Sequence, residues 1–459
     1  MKESAFTNEN FLLRTPLAQQ LYHEVAEPLP IIDFHNHLSV SDLLTNRRFN
    51  NLAELWLLND PYKHRAMRIC GVCERYITGE ASDYEKFEEW CRIFPHLTGN
   101  PLQHWSQLEL SRVFGIELAI NSKNAHEIWE RANACLGQKG WFAQDYLDQF
   151  RVEYAAPCRM LTESTEEFCC NERLAPSLRG DGILPLTQKL IAELELSADV
   201  TIASLEDLAV AFSKCLEKFH RSGCRFSDHA LDDGFCYRRD DGKNGRRFSK
   251  LLSGGTLDLE ENLCLSSHVL RMLGKEYAER GWVMQLHIGA LRSTSSRLRE
   301  IAGPAGGFAG IGRCAVPEVV NFLDDLEQSG SLPRTMLFTL NPSDNAQLSV
   351  LSGSFSEDGI AGKVQQGAAW WWCDHIGGIR GVLDTISEYG VLSVFMGMTT
   401  DSRSLLSFSR HEYFRRVLCG WIAEKVQQEI FPNDYEALAE LVRKVCYQNL
   451  KNILSEGEK

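Results

Sequence analysis

From Val152 onward the sequence alternates short apolar runs with longer amphipathic stretches, and this alternation constrains the fold more than any other feature. The runs are Val152–Ala156, Ile183–Leu186, Cys224–Asp228, Val283–His287, Met336–Leu340, Lys363–Ala369 and Val394–Thr399. Between them, Leu205–Phe219, Leu259–Ala278, Val316–Leu326 and Ile379–Tyr389 carry apolar residues at helical spacing. A strand that reads as one continuous apolar run is buried on both faces, as in a parallel sheet whose crossovers are helices. A further run, Pro30-Ile31-Ile32-Asp33-Phe34-His35, lies far upstream, after a helix opened by Thr15-Pro16. With it there are eight units, which predicts an α/β protein built as a (β/α)8 TIM-type barrel. The alternative is an open doubly wound sheet. Its phosphate-binding glycine loop has only a loose counterpart, Gly310-Ile311-Gly312-Arg313-Cys314-Ala315, which does not follow a strand and reads as a connection.

Residues from Asn50 to about Gln149 hold no clear strand but several helical patterns with aromatic anchors, so a helical insertion is expected after strand one. The organisation that follows is 1–49 for the first helix and strand, 50–150 for the insertion, and 151–459 for the rest of the barrel and its closing helices. An insertion of this size also offers a surface for a homo-oligomer.

The net charge of −14 argues against nucleic acid and anionic membranes as partners, because both demand a basic footprint. No apolar run approaches the ~20 residues that span a bilayer, and Met1 to Arg14 lacks the pattern of a secretory signal, so a cytoplasmic protein is expected. Its 15 cysteines are odd in number and scattered, which suits free thiols in a reducing compartment. Cys70-Gly71-Val72-Cys73 has zinc or redox spacing but no second pair to complete a site.

Chemistry gathers at the C-terminal ends of the expected strands. Strand one ends in His35-Asn36-His37, and residues two apart on a strand face the same side, so the two imidazoles can share one ion. Strand four ends in Asp228 and His229, strand five in His287, strand six in Asn341 and Asp344, strand seven in Trp370, and strand eight in Asp401 and Arg403. So many polar groups on one rim are costly unless they bind something. His35, His37 and Asp401 would give a divalent metal three ligands and leave positions open. Nitrogen and oxygen donors favour Zn²⁺, with Mn²⁺, Fe²⁺ or Co²⁺ also suited.

Several stretches together resemble the uronate isomerases (glucuronate isomerases), a branch of the amidohydrolase superfamily of (β/α)8 barrels. They are Asp33-Phe34-His35-Asn36-His37-Leu38, Tyr62-Lys63-His64-Arg65-Ala66-Met67-Arg68, Gly99-Asn100-Pro101-Leu102-Gln103-His104-Trp105 and Gly223-Cys224-Arg225-Phe226-Ser227-Asp228-His229. Downstream come Gln285-Leu286-His287-Ile288-Gly289-Ala290-Leu291-Arg292, Thr400-Asp401-Ser402-Arg403-Ser404 and Arg410-His411-Glu412-Tyr413-Phe414-Arg415-Arg416. The resemblance implies interconversion of D-glucuronate and D-fructuronate, or D-galacturonate and D-tagaturonate, through a cis-enediol. It implies His35, His37 and Asp401 as metal ligands and Tyr62, Asp228, His287, Arg292, Trp370 and Arg403 around a hexuronate. Asp401 and Tyr62 are then the acid and base candidates, Tyr62 with a pKa lowered by the metal and Arg403, while Arg292 and Arg403 hold charge on the substrate.

The family's arginine after strand three is expected at position 188, where this chain has Gln188, a residue that cannot replace a bidentate cation. Two competing readings follow from the same residues. One is a metal-dependent hydrolase of the superfamily, such as a sugar lactonase or deaminase. The other is a sugar-acid-binding relative without catalysis.

Overall fold

The computed structural model describes residues 7–303 and 307–456. Seven strands pair in chain order as one parallel sheet: β1 (Ile31–Asn36), β2 (Val152–Met160), β3 (Ser177–Arg179), β4 (Phe226–Leu231), β5 (Val283–Ile288), β6 (Arg334–Thr339) and β7 (Val364–Gln366). Neighbouring parallel strands need a crossover, and helices such as Leu205–Arg221, Leu259–Glu279, Val316–Gln328 and Asn345–Ser354 supply it. Their apolar faces bury Phe212, Leu216, Leu273 and Phe322. The strands present all their C-terminal ends to one side, as the alternation in the sequence implied.

Two of the expected strands lie elsewhere. The third strand is Ser177–Arg179, not Ile183–Leu186. The latter run contains Pro185, which has no N–H to give a ladder, and it leads into the helix Gln188–Ala198. The eighth run, Val394–Thr399, forms no regular strand. A short 3-10 turn occupies Leu392–Val394, and Gly397 then takes φ +72°. A Cβ at Gly397 would meet the Val445 carbonyl oxygen at 2.3 Å, so only glycine fits there. Asn449 ties the same segment to the C-terminal helices, donating from Nδ2 to the carbonyls of Ser393 (3.0 Å) and Phe395 (2.8 Å).

The segment nevertheless bridges the gap between β7 and β1. Met396 N–H donates to the Gln365 side chain at 3.0 Å. Asp401 N–H donates to His35 O at 3.1 Å, and His37 N–H to Ser402 O at 2.8 Å. The wholly buried Asp33 is the principal clamp. It accepts from Thr399 Oγ1 (2.9 Å), Thr400 N–H (2.7 Å), Thr400 Oγ1 (2.8 Å) and Asn36 Nδ2 (2.9 Å), with His411 Nε2 3.2 Å away.

Between β1 and β2 lie seven α-helices among the described residues, from Val40–Leu44 to Asp145–Gln149. Their indoles Trp56, Trp90 and Trp105 are buried in the same apolar cluster as the residues of β1 and β2. One helix, Pro61–Ile69, is started by Asp60, whose side chain accepts from the N–H groups of Tyr62 and Lys63. The Lys63 ammonium is buried between Asp60 (2.6 Å) and Glu109 (3.6 Å), and Glu109 accepts from the Trp56 indole at 2.5 Å. This polar knot fixes where that helix begins. All 15 cysteines are free thiols. No helix of the described residues is long and apolar enough to cross a membrane.

Candidate active site

A cavity of about 300 Å³ opens at the C-terminal ends of the strands. It is lined by His35, His37, Asp60, Tyr62, Arg179, Asp181, Asp228, His287, Arg292, Trp370, Trp371, Trp372, Asp401 and Arg403, among others. His35 in β1 and His37 just past its end both reach the Asp401 carboxylate, with Oδ1 lying 3.3 Å from His35 Nε2 and 3.0 Å from His37 Nε2. Donor atoms around one tetrahedral ion stand roughly 3.4 Å apart when each bond is about 2.0–2.2 Å, so this spacing fits a shared cation. Asp401 takes φ +47°, a left-handed conformation that aspartate tolerates better than most residues. From this backbone its carboxylate faces the histidines. Its other oxygen, Oδ2, accepts from the Trp370 indole N–H at 2.8 Å.

The surroundings also suit a cation. His35 is buried, and burial alone would lower its pKa. Cys158, Asp228 and Asp401 reverse that and push it well above the ordinary value, a sign of net negative charge facing the ring. The Nδ1 edge of His35 meets Cys158 Sγ at 3.6 Å and Asp228 Oδ1 at 3.8 Å, which leaves Nε2 free to be the nitrogen that would hold a metal. His35, Asp228 and His287 bring donor atoms within 4.8 Å of one another, and so do His35, His37 and Cys158. Asp228 Oδ2 lies 3.7 Å from His287 Nδ1, and the His287 ring stacks on Trp370 with centroids 4.4 Å apart and planes 11° off parallel. His229, one residue on from Asp228, points away from the cavity and bonds Tyr277 Oη at 2.8 Å. Asn341 caps the 3-10 turn Pro342–Asp344 rather than lining the cavity.

The arginine expected at position 188 comes from elsewhere. Gln188 is exposed at the start of its helix, where its amide donates to the carbonyls of Leu251 (2.9 Å) and Leu252 (3.3 Å). Arg179, the last residue of β3, lines the cavity instead, with Nη1 2.9 Å from His37 Nδ1 and a 2.5 Å pair to Asp181. Misplacing the third strand hid it. Pro176-Ser177-Leu178-Arg179 would have been the signal: a proline-led extended tripeptide ending in arginine. Arg292 enters from the loop after β5 and is held by Asp232 at 2.8 Å.

Tyr62 lines the cavity from the second residue of its helix, packed edge-on against Trp105 and Trp372 with ring centroids 5.5 and 5.2 Å away. Its phenol was expected to be acidified. The structure gives the opposite direction: burial, then the Asp374 carboxylate that accepts its proton at 2.8 Å, push it well above the usual tyrosine range. Asp374 was not singled out from the sequence, and Arg410 was quoted only as part of a family-like stretch, without a role in the site. They meet at 3.5 Å behind Tyr62, and the Arg410 guanidinium lies 4.9 Å from the Tyr62 ring centroid.

Comparison with known proteins places this architecture. The family model for glucuronate isomerase matches residues 2–454. A uronate isomerase of Bacillus licheniformis is 40% identical over 458 residues, covering 97% of each chain. Among solved structures, a uronate isomerase from Thermotoga maritima superposes with a TM-score of 0.90 at 31% identity, over 98% of this chain and 99% of that one. A glucuronate isomerase from Caulobacter crescentus, at 22% identity and a TM-score of 0.88 over 98% and 97% of the two chains, shares the fold. With a match along almost its whole length and the polar rim assembled around one cavity, the chain belongs to the glucuronate isomerase family.

Proposed function

We propose that this protein is a metal-dependent aldose–ketose isomerase that interconverts D-glucuronate and D-fructuronate, and D-galacturonate and D-tagaturonate. One observation supports this reading above the others: a single cavity holds both a convergent His35–His37–Asp401 donor set and three arginines, Arg179, Arg292 and Arg403. A metal-activated hydrolase needs the first; an open-chain sugar acid, with a carboxylate at one end and a carbonyl at the other, needs both. The name borne by the Bacillus licheniformis and Thermotoga maritima relatives agrees.

The isomerisation moves a proton from C2 to C1 and another from the C2 hydroxyl to the C1 oxygen, by way of a cis-enediol. His35, His37 and Asp401 would hold a divalent ion, Zn²⁺ by preference, which supplies Lewis-acid stabilisation at a substrate oxygen. Arg292, braced by Asp232, and Arg403 face the cavity as partners for the substrate carboxylate. Arg179 adds a third cation beside His37. Stacking on Trp370 holds the His287 plane and leaves Asp228 and His287 to bond sugar hydroxyls. Asp401 is the candidate to carry the carbon-bound proton, because its carboxylate lines the cavity beside the two histidines. Well-placed acid–base groups of this kind give about 10²–10⁴-fold each. The free thiols suit work in a reducing cytoplasm.

The test is turnover of both hexuronates by pure protein loaded in turn with Zn²⁺, Mn²⁺ or Co²⁺, followed by proton NMR in D₂O. Ketose formation with solvent deuterium at C1 is the expected result. Hydrolysis of sugar lactones without uronate turnover would overturn the reading.

A further inference from the structure

At the cavity wall, Tyr62, Asp374 and Arg410 form a hydrogen-bonded chain that runs from the lining inward and whose purpose packing does not explain. Asp374 precedes the helix Ile376–Tyr389, with its side chain 18% exposed. Its Oδ2 sits 2.8 Å from Tyr62 Oη and only 3.5 Å from Arg410 Nη1, so its close partner is a neutral phenol and its distant one a cation. Were it simply the counter-ion of Arg410, the shorter contact would be with the guanidinium. Arg410 is instead spread over the faces of Tyr62 and Trp105, 4.9 and 4.1 Å from their centroids. Tyr62 is thus the one member of the chain that both lines the cavity and touches a carboxylate.

We propose that Asp374 is a positioning residue for proton movement at the substrate oxygens: it takes the phenolic proton of Tyr62 as Tyr62 takes the proton of the substrate hydroxyl. The inference rests on the isomerase reading. In the forward step the O–H bond at C2 breaks and a new Tyr62 Oη–H bond forms, while the old Oη–H bond breaks and an Asp374 Oδ2–H bond forms. One negative charge passes from Asp374 to the substrate oxygen at C2. The reverse transfer returns a proton to the C1 oxygen, so the relay ends as it began and needs no co-reactant. A phenol with so high a pKa can pass a proton on without ever resting as phenolate. The groups facing Asp374 are Tyr62 on the helix Pro61–Ile69, Asp401, and Arg410 and Tyr413 on the helix Ser409–Gln427. Burial, opposed by Arg410 and Tyr62 and assisted by Asp401, raises the Asp374 carboxyl to about 6. The carboxylate form required by the relay is therefore lost as the pH falls below about 6.

The experiment is the pH dependence of kcat/KM for metal-loaded wild type, Asp374→Asn, Asp374→Glu, Tyr62→Phe and the Asp374→Asn/Tyr62→Phe double variant. We expect an acid limb centred near pH 6 in the wild type. In Asp374→Asn the limb should disappear, with kcat down about 10²-fold, KM within about threefold, and bound metal unchanged. Asp374→Glu should keep the limb, and Asp374→Asn should add nothing to the loss in Tyr62→Phe. An Asp374→Asn protein with wild-type kcat and an intact limb overturns the proposal, as does a double variant whose losses multiply. Should Asp374→Asn not fold, infrared titration of wild type and Tyr62→Phe decides. A carboxylic-acid band that titrates near pH 6 and shifts in Tyr62→Phe supports the relay, and no such band, or one that does not shift, overturns it. Wild type inert to both hexuronates would sink the isomerase reading, while the infrared arm would still test the Tyr62–Asp374 coupling.

Discussion

Arg179 and Gln188 make opposite predictions at the scale of single residues. Arg179 lies 2.9 Å from His37 and lines the cavity, so Arg179→Lys should lose the planar fork and lower kcat/KM by about 10–100-fold for either hexuronate. Gln188 bonds only two carbonyls of a neighbouring helix end, so Gln188→Arg should leave kcat/KM within about twofold of wild type. Steady-state assays of the two variants side by side check both, and a reversed ranking would return position 188 to the site. The contrast also shows how a site residue escapes a reading by pattern. His35, His37 and Asp401 were legible as candidates because they end the first and last of the expected strands, on the rim where a parallel barrel gathers its polar groups. Arg179 hid in a tripeptide too short and polar to count as a strand. Asp374 and Arg410 come from a loop and a helix start, where nothing in the local sequence says which way a side chain faces.

At the scale of elements, the junction between β1 and the segment around Thr399–Ser402 carries the most consequence. Asp33 is 0% exposed and gathers donors from both sides of that junction. Asp33→Ala would strand these donors without an acceptor, and urea unfolding should register a loss of about 3 kcal/mol or more. A loss below about 1 kcal/mol would mean that water replaces the carboxylate freely. The same junction explains why the eighth unit was only half legible. Its apolar residues announced a buried strand, and the segment does lie between β7 and β1, but Gly397 breaks the ladder and side chains take over the hydrogen bonding. The other six runs reported their strands to within a few residues because burial on both faces leaves an unbroken apolar signature.

At the scale of the whole molecule, ion binding at the proposed donors would be linked to folding, since His35, His37 and Asp401 come together only when the first and last parts of the chain meet. A divalent ion at a hundred times its Kd should add about 2.7 kcal/mol to the unfolding free energy, and a chelator should remove it. Calorimetry with and without chelator measures this directly, and identical unfolding curves would place the donors' convergence in doubt. Gly397 extends the argument to the far end of the chain. Its backbone is pressed so near the Val445 carbonyl that no side chain fits between them, and Asn449 fastens the same stretch. The final helices are therefore a backstop for the aspartate that completes the donor set, although they lie outside the cavity. Trimming the protein before Val445 would spare all the residues that line the cavity and still yield a chain that elutes from a desalting column without a divalent ion.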